Sequence, residues 1–122
     1  MNSHSKYAFY GSLRRGMSKY LEFEKGLEFQ YQEIISGYGM YALQDFPYAV
    51  KTGNPSDLVT VEVFRIINPD VERAIYGVEM TEGYYYDEVK IRNEKIGIYL
   101  FKKAGSDPLV KGGDWVNFFG SR

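Results

Sequence analysis

Valine occupies every second position from residue 59 to residue 63, within the apolar segment 58–67 near the middle of the chain. Val59, Val61 and Val63 fall on one face of an extended strand, because successive side chains of a strand point to opposite faces. A shorter apolar and aromatic run over residues 7–10 stops at a glycine and a serine, which predicts a strand that enters a tight turn. The pattern therefore predicts strands at both segments.

Two other segments carry hydrophobic residues at helical spacing. Residues 17–29 combine such spacing with charges between the apolar positions, which predicts a first helix. The second predicted helix begins with Asn68 as its cap and Pro69 at its first helical position. Hydrophobic residues then recur at helical spacing as far as Val78.

The remaining strand-like segments are separated by glycine, proline and asparagine. They cover residues 33–43, 48–51, 84–92 and 96–102. The last two are joined at residues 93–95 and predict a hairpin. About six short strands with few helices favour a closed or nearly closed sheet. We therefore expect one α+β domain over residues 1–122, a small mixed β-barrel with about two helices packed outside.

Composition adds exclusions to this picture. The formal net charge is −1 and no long basic run occurs, which argues against a nucleic-acid partner. No stretch approaches the ~18 apolar residues of a membrane span, and no apolar signal segment stands at the start, so we expect a cytoplasmic protein without a membrane partner. Aromatic residues make up 17% of the chain and include 12 tyrosines, which suit half-exposed sheet faces and the walls of a pocket.

The chain also lacks the side chains of several catalytic and metal centres. It contains no cysteine and a single histidine, His4, close to the start. A Ser-His-Asp triad or a zinc site would depend on that one residue, and no ligand spacing for another metal is present, so we expect no metal. The glycines after the first strand lack the Gly-Lys-Ser/Thr ending of a P-loop. Carboxylate chemistry remains, in which a buried Glu acts as general acid and base.

Four short motifs follow one another along nearly the whole chain. They are Tyr10-Gly11-Ser12-Leu13-Arg14-Arg15-Gly16 directly after the first strand, Met40-Tyr41-Ala42-Leu43 followed by Phe46-Pro47-Tyr48-Ala49-Val50, Glu62-Val63-Phe64-Arg65-Ile66 followed by the helix from Asn68 to Val78, and Gly113-Asp114-Trp115. In this order they resemble the γ-glutamylcyclotransferase-like superfamily. The last motif is similar to the tail of its bacterial YtfP-like branch.

The resemblance implies a small mixed αβ barrel and a reaction on γ-glutamyl compounds. In active members of the superfamily the substrate's own α-amine attacks the γ-carbonyl, which expels an amine and leaves 5-oxoproline. Tyr10, Gly11, Ser12 and Leu13 would hold the small-molecule substrate, the last three through their backbone amides. One Glu would take a proton from the attacking amine and return it to the leaving nitrogen, so no cofactor or metal is implied. Exposed amides at a strand end suit this task, because they can bind a carboxylate or a developing oxyanion.

The position of that Glu is where the chain departs from the family pattern. The superfamily has Leu-Asp-x-x-Glu at the end of its second helix, and a count without gaps from Phe64 places Val78 at the Glu. Glu79 comes one residue later, which turns a helical side chain by about 100°. The candidates are therefore Glu79, Glu82 or neither. Tyr84 keeps the family spacing and is expected to line the pocket opposite the loop.

Three functions follow from these observations. The first is an enzyme that cyclises a γ-glutamyl amine or peptide, with Glu79 or Glu82 as acid and base. The second is a non-catalytic module that binds a γ-glutamyl compound or a related anionic ligand in the same pocket, and its motivation is Val78 at the motif position. The third is association with a partner or a second copy through exposed aromatic side chains.

Overall fold

A computed structural model describes residues 6–120. Within this range the strands are β1 (Lys6–Phe9), β2 (Leu27–Ser36), β3 (Tyr38–Leu43), β4 (Phe46–Lys51), β5 (Leu58–Ile66), β6 (Tyr85–Ile91) and β7 (Glu94–Leu100), and the helices are α1 (Ser18–Phe23), α2 (Pro69–Thr81) and α3 (Trp115–Gly120). None of the helices in residues 6–120 has the length and apolar character that crossing a membrane requires.

Five strands form the main sheet in the order β2-β5-β1-β7-β6, and β3 and β4 form a separate hairpin. β1 lies in the middle of the main sheet, antiparallel to β5 and parallel to β7. A parallel bridge between Val50 and Phe101 couples the hairpin to the chain just after β7. The predicted α+β fold is confirmed. The predicted barrel does not close, because β2 and β6 lie at opposite edges of the described sheet.

The segment predicted as one helix over residues 17–29 divides into three elements. α1 is short, a single 3-10 turn follows it, and the chain then enters β2 at Leu27. β2 pairs antiparallel with β5, from Leu27 opposite Ile66 to Ser36 opposite Leu58. The prediction was wrong for this second half, because the hydrogen bonds and packing of a long strand pair outweigh a weak helical spacing.

The predicted strand over residues 33–43 is interrupted at Gly37. This glycine has a φ of 88°, in the left-handed region that glycine adopts without strain. The chain leaves the main sheet there and enters the β3–β4 hairpin. The other predicted hairpin, around residues 93–95, is confirmed, with β6 paired to β7 and left-handed backbone at Arg92 and Asn93.

The second predicted helix is confirmed as α2, and its cap determines where it begins. Asn68 accepts a hydrogen bond from the backbone N–H of Asp70 at 2.8 Å, and Pro69 lies in the first turn. Ile75 of this helix is fully buried in the core. Because residues four apart share one face of a helix, Glu79 projects from the same side of α2 as Ile75.

The core is built mainly from the central strands. Val59, Val61 and Val63 of β5 are fully buried, as is Tyr7 in β1. Trp115 at the start of α3 is also fully buried, and its ring stacks on that of Phe118 with 5.4 Å between centroids. Burial of Trp115 holds the segment after β7 against the core. The same packed core fixes the positions of β1 and α2.

Candidate functional site

A cavity opens where the end of β1 meets the end of α2. Its walls include residues 10–13, which follow β1, together with Glu79, Glu82 and Tyr84 at or just after the end of α2. The site residues suggested by the sequence therefore line one cavity.

The loop after β1 is closed by its own backbone. The N–H of Arg14 donates to the carbonyl of Gly11 at 2.9 Å, and the N–H of Tyr20 in α1 donates to the carbonyl of Ser12 at 3.0 Å. Within residues 6–120, no protein acceptor takes up the N–H groups of Gly11, Ser12 or Leu13. Three adjacent backbone donors in the cavity wall can thus bind a carboxylate or carbonyl oxygen.

Gly11 is required by the packing beneath this loop. A Cβ atom here would lie 2.7 Å from Cγ and 3.0 Å from Cδ of Pro47 in β4, so only glycine lets the loop rest on the proline ring. Pro47 is itself held by Tyr84, whose hydroxyl donates to the Pro47 carbonyl at 2.5 Å. The hydroxyl of Tyr84 is therefore engaged within the protein, while the residue lines the cavity.

The hydroxyl of Tyr10 joins the end of β1 to two other strands. It donates to the backbone carbonyl of Tyr99 in β7 at 2.5 Å and accepts from the N–H of Ala49 in β4 at 3.1 Å. Burial, and to a smaller extent Tyr84, raises the pKa of Tyr10 well above its ordinary value, so the hydroxyl stays protonated. Because both bonds lie within the protein, a contact between Tyr10 and a ligand would come from its ring.

Glu79 reaches the cavity from a regular helix. α2 runs without interruption from Pro69 to Thr81, so no bulge near Gly77 is needed to turn the carboxylate. Glu79 lines the cavity, whereas Val78 lies on an outer groove of the helix together with Gly77. The gapless count from β5 thus falls one residue short of the position that faces the cavity.

Burial is the main influence on the Glu79 carboxyl. Its side chain is 12% exposed, and burial raises its pKa to about 7. The ammonium of Lys19 lowers this pKa and the carboxylate of Glu82 raises it, both less strongly than burial acts. A carboxyl group with a pKa near neutrality occurs in both protonation states at pH 7, so it can accept a proton and return it.

Lys19 and Glu82 form an ion pair in the wall of the cavity. The Lys19 Nζ lies 2.7 Å from Oε1 of Glu82 and 3.9 Å from Oε2 of Glu79. The side chain of Glu82 is 39% exposed, and a hydrated carboxylate paired with a cation suits the role of general base less well than Glu79 does. Lys19 was not predicted as a site residue, because no sequence pattern indicates that α1 packs close to the end of α2.

The two arginines of the loop are committed to the protein. Arg14 is 4% exposed, and its guanidinium lies 2.9 Å from Glu62 in β5 and 2.8 Å from Asp114, just before α3. Arg15 pairs with the same Glu62 at 3.0 Å. These ion pairs anchor the loop to β5 and to Asp114, the residue before α3.

Metal-binding side chains do not gather in the part of the chain that the structure describes. Among those residues, no three His, Asp or Glu side chains form a group able to hold a metal ion. His4 lies outside residues 6–120. The polar groups around the cavity are carboxyl, ammonium, hydroxyl and backbone amide groups, which together can bind an anionic ligand and exchange a proton.

Known proteins provide a comparison for this arrangement. The family described as Gamma-glutamyl cyclotransferase, AIG2-like has a sequence profile that matches residues 7–117. No curated protein sequence gives a significant match. Protein PH0828 from Pyrococcus horikoshii is 28% identical with a TM-score of 0.80, and the match covers 95% of this chain and 93% of that protein.

Two further solved structures have a similar fold. Protein ytfP from Escherichia coli is 24% identical with a TM-score of 0.68, over 93% of this chain and 97% of that protein. A mouse AIG2-like protein is 12% identical with a TM-score of 0.66, over 84% of this chain and 80% of that protein. The shared fold thus extends across bacterial, archaeal and mammalian proteins.

Proposed function

Because the chain belongs to the gamma-glutamyl cyclotransferase, AIG2-like family, we propose that it cyclises a γ-glutamyl amine or peptide to 5-oxoproline and releases the amine. The observation that carries this proposal is the shared cavity of Glu79 and the Gly11–Ser12–Leu13 amides. A buried carboxyl with a pKa of about 7 lines the same cavity as three residues whose backbone N–H groups have no protein acceptor within residues 6–120.

Glu79 is the proposed acid and base. The substrate's neutral α-amine forms a bond to the γ-carbonyl carbon, and the ionised carboxylate of Glu79 takes one proton from that nitrogen. The bond between that carbon and the leaving nitrogen then breaks, and the protonated Glu79 returns the proton to the leaving nitrogen. Its pKa of about 7 suits both transfers, because neither protonation state is strongly favoured at neutral pH.

The loop amides are the proposed site for the carbonyl oxygen. Negative charge develops on that oxygen when the amine attacks, and fixed N–H donors stabilise it most in a site with little water. The amides of Gly11, Ser12 and Leu13 are held in place by the turn bond between Arg14 and Gly11 and by the bond between Tyr20 and Ser12. The reaction transfers no electrons, and its steps use only this carboxyl, these amides and the substrate.

The test is 5-oxoproline release from a panel of γ-glutamyl amines and peptides. Glu79→Gln keeps the size of the side chain and removes its acid-base function, so we expect a loss of roughly 100-fold or more in kcat. Glu82→Gln, compared at its own pH optimum, is expected to lose far less. Absence of turnover on every substrate, or equal rates for Glu79→Gln and wild type, would contradict the proposal.

The alternative is a binding module of the same fold without catalysis. Its motivation was Val78 at the gapless motif position, and what supports catalysis instead is that Glu79 lines the cavity. A binding module would be stabilised against heat by 5-oxoproline and would release none from any substrate. The same panel, combined with a thermal shift measurement, therefore distinguishes the two functions.

A further inference from the structure

One tyrosine of the cavity wall has a buried hydroxyl that the proposed mechanism does not use. Tyr99 of β7 is 3% exposed and lines the cavity. Its hydroxyl has no hydrogen-bond partner within residues 6–120. Buried polar groups are nearly always hydrogen-bonded, because leaving one unpaired costs about 1–3 kcal/mol. An unpaired donor in a cavity therefore points to a ligand atom as its partner.

The ring of Tyr99 is held firmly by its neighbours. It stacks on Tyr7 at 6.0 Å between centroids and meets the ring of Tyr86 edge-on at 5.9 Å. Its backbone carbonyl accepts the hydroxyl of Tyr10. The side chain is thus fixed before any ligand arrives, which reduces the entropy lost when its hydroxyl forms a bond.

The hydroxyl of Tyr99 is under the influence of Glu79. Burial raises the pKa of Tyr99 far above its ordinary value, and among charged neighbours Glu79 has the largest further raising effect. Tyr99 therefore remains a neutral donor at all physiological pH values. Glu79 and Tyr99 line the same cavity, so a ligand bound there can contact both residues.

We infer, on the basis of the proposed function, that the Tyr99 hydroxyl donates a hydrogen bond to the α-carboxylate of the γ-glutamyl group. Glu79 must reach the α-amine to take its proton, and the α-carboxylate is attached to the same carbon as that amine. The carboxylate therefore lies on the Glu79 side of the cavity when the γ-carbonyl oxygen meets the loop amides. Among the described residues that line this cavity, Tyr99 is the one whose buried side-chain hydroxyl has no partner within residues 6–120.

Lys19 is the other group that a carboxylate would attract. Its ammonium is already paired with Glu82 at 2.7 Å, and its side chain is more exposed than that of Tyr99. A neutral hydroxyl donor also avoids a second strong charge next to Glu79, which would hold the pKa of Glu79 down. Tyr99 can thus select substrates that carry an α-carboxylate without lowering the pKa of Glu79.

Tyr99→Phe tests this assignment because it removes only the hydroxyl. Tyr31→Phe is a matched control: the Tyr31 hydroxyl is also buried and unpartnered within residues 6–120, but it lies outside the cavity. For a γ-glutamyl amine we expect Tyr99→Phe to raise KM about tenfold to a hundredfold, as for loss of a hydrogen bond to a charged group, with kcat nearly unchanged. Tyr31→Phe should leave both constants at the wild-type value.

A second substrate identifies the acceptor atom. A 4-aminobutyryl amide is a γ-glutamyl amide without its α-carboxylate and cyclises to 2-pyrrolidinone by the same attack. We expect its KM to be high and equal in the wild type and in Tyr99→Phe. Thermal stabilisation by 5-oxoproline, which retains the carboxylate, should be present in the wild type and strongly reduced in Tyr99→Phe.

The outcomes separate this inference from the proposed function. If the wild type neither releases 5-oxoproline nor is stabilised by it, the proposed function fails and the role of Tyr99 fails with it. If the wild type is active and Tyr99→Phe has the same KM, or loses kcat with KM unchanged, only the assignment of Tyr99 to the α-carboxylate is overturned.

Discussion

The Glu79 carboxylate lies 3.9 Å from the Lys19 ammonium, measured between Oε2 and Nζ, although α1 and α2 are far apart in the sequence. Lys19 bonds more closely to Glu82, at 2.7 Å. The three residues form one electrostatic unit around the carboxyl that is proposed to move the proton. Burial raises the pKa of Glu79, Lys19 lowers it and Glu82 raises it, so each neighbour can be changed with a predictable sign.

The neighbours of Glu79 should shift the pH dependence of the reaction in opposite directions. Lys19→Met removes the cation that lowers the Glu79 pKa, so the acid limb of kcat/KM should move to higher pH. Glu82→Gln removes a raising charge and releases Lys19 to act on Glu79, so the limb should move to lower pH. The measurement is the pH profile of kcat/KM, with an NMR titration of the Glu79 carboxyl as an independent check. Shifts of the same sign in both variants would contradict the proposed opposite effects of Lys19 and Glu82 on the pKa of Glu79.

Glu79 should also make the stability of the protein depend on pH. Its pKa is about 7 in the folded chain and 4.5 ordinarily, so the folded state binds more protons between these values. The free energy of unfolding should therefore fall as pH rises from about 4.5 to about 7, by on the order of 3 kcal/mol from this one group. Glu79→Gln should lack this fall. Urea titrations of both proteins at several pH values measure the difference, which should widen with rising pH.

Gly11→Ala should disable the site while leaving the fold intact. The added Cβ would meet the Pro47 ring at 2.7 Å, so the loop must shift and its amides lose their alignment. We expect a loss of about 10²-fold or more in kcat/KM, with a far-UV circular dichroism spectrum like that of wild type. Gly77→Ala is the control, because nothing lies within 4 Å of its added Cβ. It should keep activity and raise stability by roughly 0.5–1 kcal/mol.

Arg14→Met should be strongly destabilising. It breaks a pair in which Arg14 and Glu62 are each 4% exposed, and it leaves the Glu62 carboxylate buried with only Arg15 as an ionic partner. Loss of one member of a buried pair costs about 3–5 kcal/mol, which the second arginine reduces here. Arg73→Met is the control, because Arg73 pairs with Asp70 on the exposed surface of α2, where a pair contributes about 0–1 kcal/mol. Equal unfolding midpoints for the two variants would contradict a stabilising role of Arg14.

Elements with strong local signals could be predicted from the sequence. The alternation of valines predicts β5, and the Asn68 cap followed by Pro69 predicts the start of α2. The aromatic run that ends at Gly11 predicts β1 and the loop after it. These signals depend only on residues close together in the chain, so they do not require knowledge of what packs against them.

Elements that depend on distant partners were predicted less well. Residues 27–29 end the segment predicted as a helix, but they begin β2, because β5 offers a complete edge for antiparallel pairing. The same long-range pairing leaves β2 and β6 as edges of the described sheet, where the sequence suggested a barrel. The free energy of strand pairing comes from contacts between residues far apart in the chain, so a short stretch of sequence does not reveal it.

The family and the position of the loop Tyr10–Gly11–Ser12–Leu13 after β1 were determined by the sequence itself, because residue type and order carry them. The tertiary structure alone decided that Glu79 rather than Val78 lines the cavity with this loop, and that Lys19 lies close to both Glu79 and Glu82. It also decided that Tyr99, whose hydroxyl has no partner within residues 6–120, lines the same cavity. A turn of 100° per residue makes the direction of a helical side chain depend on how the helix packs. Burial, which raises the pKa of Glu79, likewise exists only once the chain has folded around it.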